Sequence, residues 1–112
     1  MMRPYDITKK AEIDLQEVIS YTINKWGIEQ ARQYLGLLHE GCAALARGEG
    51  IFKHLIEIEQ DLYIAHCEHH YILCVKRANK RPRIVAFFHE RMDIIARVKT
   101  RLSWLSPPQP DE

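Results

Sequence analysis

No apolar run in this chain approaches the roughly 18 residues that a helix needs to cross a bilayer, so no membrane span is expected. The opening Met1-Met2-Arg3-Pro4-Tyr5 lacks the apolar core of a secretory leader, so secretion is not expected either. Cysteine is sparse and odd in number. Cys42, Cys67 and Cys74 have no metal-knuckle spacing, which argues against a disulfide framework and suits a reducing cytoplasm. A large charge of one sign is missing too. The net charge of +1 excludes a strong nonspecific nucleic-acid binder, whose domain pI usually exceeds about 9. Apolar residues are plentiful: 46% of 112 residues are hydrophobic, enough for one domain with one core and no staples.

The charge is unevenly spread. Residues 76–101 hold nine Lys/Arg against two Asp/Glu, whereas residues 1–75 hold seven against eleven. A basic C-terminal part therefore follows a mildly acidic first part. It reads either as a solvated turn and helix face or as a docking patch for an acidic partner or nucleic acid.

Tyr5-Asp6-Ile7 reads as a short first strand, with Thr8 as the N-cap of a helix. Ala11, Leu15, Val18, Ile19, Thr22 and Trp26 recur at helical spacing, and Gly27 is placed to stop that helix. A second helix runs from Ile28 to Arg47 along the stripe Ala31, Tyr34, Leu35, Leu38, Cys42, Leu45 and Ala46, ended by Gly48. With so short a link the two helices must fold back as an antiparallel hairpin. Trp26 and Tyr34 fit the core first and a binding role second. Gly36 and Gly41, each costing about 1 kcal/mol against alanine inside a helix, imply close approach by another helix or a partner.

Gly48-Glu49-Gly50 is a loop, and Ile51–Ile58 reads as an irregular turn. Leu62–Cys67 and His70–Lys76 are strands, joined across Glu68-His69 although that turn lacks the usual glycine. This register sets Cys67 opposite His70, Ala65 opposite Ile72 and Tyr63 opposite Cys74. Leu62, Ile64, His66, Tyr71, Leu73 and Val75 take the other face. Both faces are largely apolar, which means strands covered on both sides or one side left for a partner. Arg83–His89 is the last strand. A short helix then begins near Met92 and runs to about Ser103 along Ile94, Ile95, Val98 and Leu102. Residues 1–104 read as a single domain and 105–112, rich in proline, as a disordered tail. The fold class is α+β in the order β-αα-βββ-α, a helix hairpin on a small antiparallel sheet.

Two polar segments end apolar runs: Cys67-Glu68-His69-His70-Tyr71 and His89-Glu90-Arg91-Met92-Asp93. Histidines here can serve as acids or bases, or as zinc ligands with Cys67 and Cys74. Alternation sets Cys67, His70 and Cys74 on one face and His66 on the other, so zinc ligation is the weaker reading, and no metal or cofactor is expected. Asp93 suits the N-terminus of the last helix. Glu90 and Arg91 can pair on the surface at little energetic gain.

These residues in this order resemble the ParE branch of the RelE/ParE toxin superfamily. The likeness spans about residues 5–103 and rests on Tyr21-Thr22, Trp26-Gly27, Gln30, Tyr34, Leu45-Ala46, Gly48-Glu49-Gly50, Phe52-Lys53, Cys74, Arg77-Ala78 and the two polar segments. It looks nearest to the ParE of broad-host-range plasmids. The resemblance implies a cytoplasmic toxin of a type II toxin–antitoxin system that poisons DNA gyrase by stabilising its cleaved DNA complex, without catalysis of its own. A ParD-type antitoxin would neutralise it in a hetero-oligomer, with no membrane partner and no sequence-specific DNA binding by the toxin alone. The alternatives are a RelE-type ribosome-dependent mRNA endoribonuclease and a non-toxic antitoxin-binding member. Against the ribonuclease, the chain after Trp104 has neither Tyr nor His. Two separate surfaces are expected: antitoxin on Ile23, Trp26, Tyr34 and Leu38, and gyrase on Lys76, Arg77, Arg83, Arg91, Arg97 and Arg101.

Overall fold

A computed structural model describes residues 3–105. The elements are β1 (Asp6–Ile7), α1 (Lys9–Trp26), α2 (Ile28–Arg47), β2 (Lys53–His54), β3 (Leu62–Cys67), β4 (His70–Val75), β5 (Arg83–His89) and α3 (Ile94–Leu105). The expected tail from Ser106 onward lies outside the described residues.

The hairpin of α1 and α2 is closed by single residues. Thr8 is extended, and its hydroxyl accepts the Ala11 N–H at 3.1 Å, capping α1. Gly27 ends α1 by donating its N–H to Ile23 and starts α2 by accepting from Ala31. Its φ of 95° is open to glycine and strained for other residues. One residue therefore serves two helix ends, and the helices must run antiparallel.

The sheet has the order β1-β5-β4-β3-β2. The β3–β4 register is the expected one, with Cys67 opposite His70, Ala65 opposite Ile72 and Tyr63 opposite Cys74. The turn works without glycine because Glu68 takes the left-handed conformation, φ 56°. Two expectations need correction. The sheet is mixed, since β1 pairs parallel to β5; two residues cannot reveal the direction of a pairing made 77 positions away. And Ile51–Ile58 is more than a turn: Lys53–His54 pair antiparallel with Tyr63–Ile64 as β2. A two-residue edge strand has no periodicity to read.

Both sheet faces are covered. On the hairpin side, Leu38, Cys42 and Leu45 of α2 and Ala11 of α1 enclose Ile72, Cys74, Ile84 and Phe87. On the other side, Val98 of α3 packs with Leu62, Leu73, Val85, Ala86 and Phe88, flanked by Leu55 and Ile58. Strand β5 serves both cores through a bulge. Leu73 faces Ala86 but Cys74 faces Ile84, which leaves Val85 as the extra residue. Val85 and Ala86 thereby share the α3 side, and Phe87 returns to the hairpin side.

Gly41 lies where α2 crosses the sheet. A Cβ there would fall 2.8 Å from Cys67 Sγ and 3.0 Å from Ile72 Cδ1, so the close approach needs a glycine. Gly36 differs: a Cβ there meets nothing within 4 Å.

Candidate functional site

Strand β1 pairs only with Arg83 and Ile84, so β5 from Val85 onward is an edge among the described residues. Side chains occupy part of that edge. Asp14 of α1 accepts the Phe87 N–H at 3.0 Å, and Arg101 of α3 donates to the Val85 carbonyl at 2.9 Å. The two side chains also pair with each other, at 2.8 and 3.1 Å. With side-chain exposures of 14% and 13% the pair is largely buried, so losing either partner would strand a charge.

Beyond this clamp, a groove of about 990 Å³ opens between the hairpin and the β5–α3 connection. Its hairpin wall follows helical spacing: Glu17, Tyr21 and Lys25 of α1, then Gln30, Gln33 and Leu37 of α2. Trp26 stands beside them, 65% exposed, with Tyr21 at 59% and Leu37 at 40%. Helix α1 outruns the sheet here, so its last turn has no strand to cover it. Lys25 sits over this aromatic pair, 5.6 Å from the Tyr21 ring and 5.8 Å from that of Trp26. The facing wall holds Arg91, Met92 and Arg97. Arg91 and Arg97 are exposed and form no ion pair among the described residues.

The end of the groove is built from the two polar segments. The Tyr34 oxygen accepts the His69 N–H at 3.1 Å and lies 2.6 Å from His70 Nδ1. Burial first, then His89 and His69 nearby, push the His70 imidazole down to about 4, so it is neutral and Nδ1 can accept the tyrosine proton. Burial also raises Tyr34, which keeps that proton in place. Glu90 bridges the two segments, with Oε1 2.8 Å from His66 Nε2 and Oε2 3.0 Å from His69 Nδ1. These hydrogen bonds, that of His69 first, lower the Glu90 carboxyl. The Glu90 N–H adds a bond to the His69 carbonyl at 2.9 Å. His89 Nδ1 accepts the Arg91 N–H at 3.1 Å. Each of these four imidazoles thus has an internal partner. No three His, Cys, Asp or Glu side chains among the described residues are grouped to hold a metal ion.

The arrangement is a large groove whose hairpin wall carries exposed Tyr21, Trp26 and Leu37 among polar side chains, whose facing wall carries Arg91 and Arg97, and whose end is built of committed polar groups. A profile of the family described as ParE toxin of type II toxin-antitoxin system, parDE, matches residues 5–94. The protein called Toxin ParE from Escherichia coli is 46% identical over 101 residues, covering 90% of this chain and 98% of that one. Toxin ParE1 of Caulobacter vibrioides (strain ATCC 19089 / CIP 103742 / CB 15) is 32% identical over 50 residues, 45% of this chain and 52% of its own.

The chain belongs to the ParE toxin family.

In this ParE-family chain the residues singled out from sequence separate into groups. Trp26 and Tyr34 line the groove, and so do Arg91, Arg97 and Arg101. Residues expected on two separate surfaces therefore share one groove. Trp26 is exposed rather than core. Ile23 is 39% exposed but lies outside the groove lining, and Leu38, at 0%, is enclosed in the hairpin-side core and offers no surface to a partner. That corrects its placing as a contact: position 38 is on the sheet-facing stripe of α2. Arg101 is spent on Asp14. Lys76, Arg77 and Arg83 lie at the opposite end of β4 and β5. Of these, Lys76 sits 4.8 Å from the Tyr63 ring centre, and Arg77 pairs with Asp61 at 3.4 Å.

The sequence reading missed Tyr21, Leu37 and Met92 as groove residues. A signal was present, since Asp14, Glu17, Val18, Tyr21, Thr22 and Lys25 recur at three- and four-residue spacing. Asp93 caps α3 as expected, its Oδ1 accepting the Ala96 N–H at 3.3 Å. Glu90 pairs with histidines instead of Arg91, because β5 carries it to the β3–β4 turn. No helix among the described residues is long and apolar enough to cross a membrane.

Proposed function

We propose that this toxin acts in the cytoplasm on DNA gyrase, stabilising the cleaved gyrase–DNA complex by binding, without catalysis of its own, and that a ParD-type antitoxin neutralises it. The nearest kin on this reading are the ParE toxins of broad-host-range plasmids. The observation that carries it is the 46% identity to Toxin ParE along 98% of that protein. The groove adds support, because a toxin silenced by a protein partner needs a surface for it. Trp26 and Tyr34 are the proposed antitoxin contacts there, with Ile23 at the rim of the hairpin. Arg91 and Arg97 are the leading gyrase contacts. Lys76, Arg77 and Arg83 form a second basic group, and Arg101 acts by holding the clamp.

The test is purified gyrase with supercoiled plasmid and ATP, with and without the toxin, followed by detergent and protease. Linear DNA should accumulate with the toxin and disappear when antitoxin is added. Normal supercoiling with no linear product would overturn the gyrase reading. mRNA cleavage on translating ribosomes would then support the ribonuclease alternative, with His66, His70 and Arg91 to mutate. No growth arrest on expression without antitoxin would mark a non-toxic, antitoxin-binding member.

A further inference from the structure

Lys76, Arg77 and Arg83 belong to a surface of a different kind from the groove. The pairing of β1 with β5 brings Asp6 beside Arg83 and Ile7 beside Ile84, and the Thr8 N–H bonds to the Ile84 carbonyl at 3.0 Å. Residues 3–10 and the β4–β5 turn are thereby joined at one end of the sheet. Together, residues 3–10 and 76–83 carry eight Lys/Arg and one Asp/Glu. Arg81 is spent on Asp6 at 3.1 Å and Arg77 on Asp61 at 3.4 Å. Lys76 lies over the Phe52 and Tyr63 rings, and Arg3 over Tyr5. Lys9, Lys80 and Arg83 are exposed and form no ion pair among the described residues.

This pole is held in place from within. Arg81 also donates to the Tyr5 carbonyl at 3.2 Å. The Asp6 N–H bonds to the Pro82 carbonyl at 2.9 Å, and the Lys80 N–H to the Arg77 carbonyl at 3.2 Å. Like charges are thus kept at one end of the sheet before any partner arrives, a repulsion that a polyanion relieves. The surroundings decide which polyanion. Protein interfaces form round an apolar or aromatic centre from which lysine is depleted. The large apolar side chains exposed among the described residues all lie outside segments 3–10 and 76–83. DNA-binding surfaces are instead polar and strongly positive.

We propose that this pole binds the phosphate backbone of duplex DNA through Lys9, Lys80 and Arg83, and that by it the toxin grips the DNA held in the gyrase complex. The second half rests on the gyrase reading above, and deepens it by assigning the far-end basic group to DNA. Phosphate contacts carry no sequence information, so the grip is indifferent to sequence. With a net charge of only +1 over the whole chain, it is also modest in strength.

The experiment follows the anisotropy of a labelled duplex of about 20 base pairs, enough for several phosphate contacts. It compares the full-length toxin with Lys80→Glu/Arg83→Glu at the pole and with Arg32→Glu/Lys53→Glu, an equal charge change elsewhere on the surface. Thermal melts confirm that each variant is folded. Three phosphate contacts predict a slope of about −2.7 in log affinity against log salt, hence about a 40-fold loss between about 50 and 200 mM salt. The pole variant should bind at least about tenfold more weakly at low salt, with a slope near about −1. The control should stay within about threefold of wild type. No salt-dependent binding by wild type, or a folded pole variant that binds as tightly, overturns the proposal. So does a polyglutamate peptide bound more tightly than the duplex through Lys80 and Arg83, which would make the pole a dock for an acidic protein. The same variants then enter the gyrase cleavage assay. There the pole variant should need at least about tenfold more toxin for equal linear DNA, and equal potency overturns the grip on gyrase-held DNA. DNA binding that depends on Lys80 and Arg83, without gyrase poisoning by wild type, would sink the gyrase reading and leave the DNA-binding pole standing.

Discussion

Two glycines in α2 invite the same substitution with opposite results. Gly36→Ala and Gly41→Ala each give a helix interior the better helix former, a gain of about 1 kcal/mol. At position 36 nothing lies within 4 Å of the new methyl, so the gain should appear almost whole. For a domain of this size that raises the melting temperature by about 4 °C. At position 41 the methyl would sit 2.8 Å from Cys67 Sγ, 3.2 Å from Cys67 Cβ and 3.0 Å from Ile72 Cδ1. Cys67 cannot simply swing aside, since its Cβ is also too close and its thiol donates to the Leu37 carbonyl at 3.4 Å. Overpacking of this kind costs about 1–3 kcal/mol, and the crowding by three atoms points to the upper part of that range. The net loss is then about 1–2 kcal/mol, and the two variants should differ by about 2–3 kcal/mol. Urea and thermal unfolding of the free toxin read both. A Gly41→Ala variant as stable as wild type would refute the close approach of α2 to the sheet. A destabilised Gly36→Ala would refute the open position of residue 36.

Folding keeps His70 neutral with a lowered pKa, so the unfolded chain binds its proton more readily; stability should fall by on the order of 2–3 kcal/mol as pH drops from about 6.5 to 4. His70→Asn, which keeps an acceptor for Tyr34, should flatten that part of the pH–stability curve, and an unchanged slope would assign it to other groups. Asp14→Ala strands the Arg101 charge and the Phe87 N–H, and should cost about 3 kcal/mol in urea unfolding; a loss below about 1 kcal/mol would show that the clamp is not structural. Trp26→Ala should leave stability within about 0.5 kcal/mol yet weaken antitoxin binding by at least about tenfold in titration calorimetry. Equal affinity would remove Trp26 from the interface.

Local rules account for what could be read without the structure. Thr8, Gly27 and Gly48 bound the two long helices because caps depend on residues within one turn. The β3–β4 register follows from the alternation of two adjacent strands across a short turn, and Asp93 caps α3 for the same local reason. The family resemblance lay in the order of short motifs along the chain, and the sequence comparisons support it.

The groove was decided elsewhere. Its walls come from residues up to 87 positions apart, as the Asp14–Arg101 pair shows, and no local pattern encodes such a meeting. Trp26 continues the apolar stripe of α1, but the helix outruns the sheet, so a residue that fits a core stands in solvent. Leu38 falls on the same broad stripe of α2 as Tyr34, yet four residues further along it is sealed against β4 and β5. Arg91, Arg97 and Arg101 are alike as charges; only packing separates the two that stay free from the one held by a buried carboxylate. The helices, the hairpin and the likeness to the family were legible along the chain, because those depend on residues close together in it. Which side chains face a partner was left to tertiary structure, because exposure depends on where each element ends against the others.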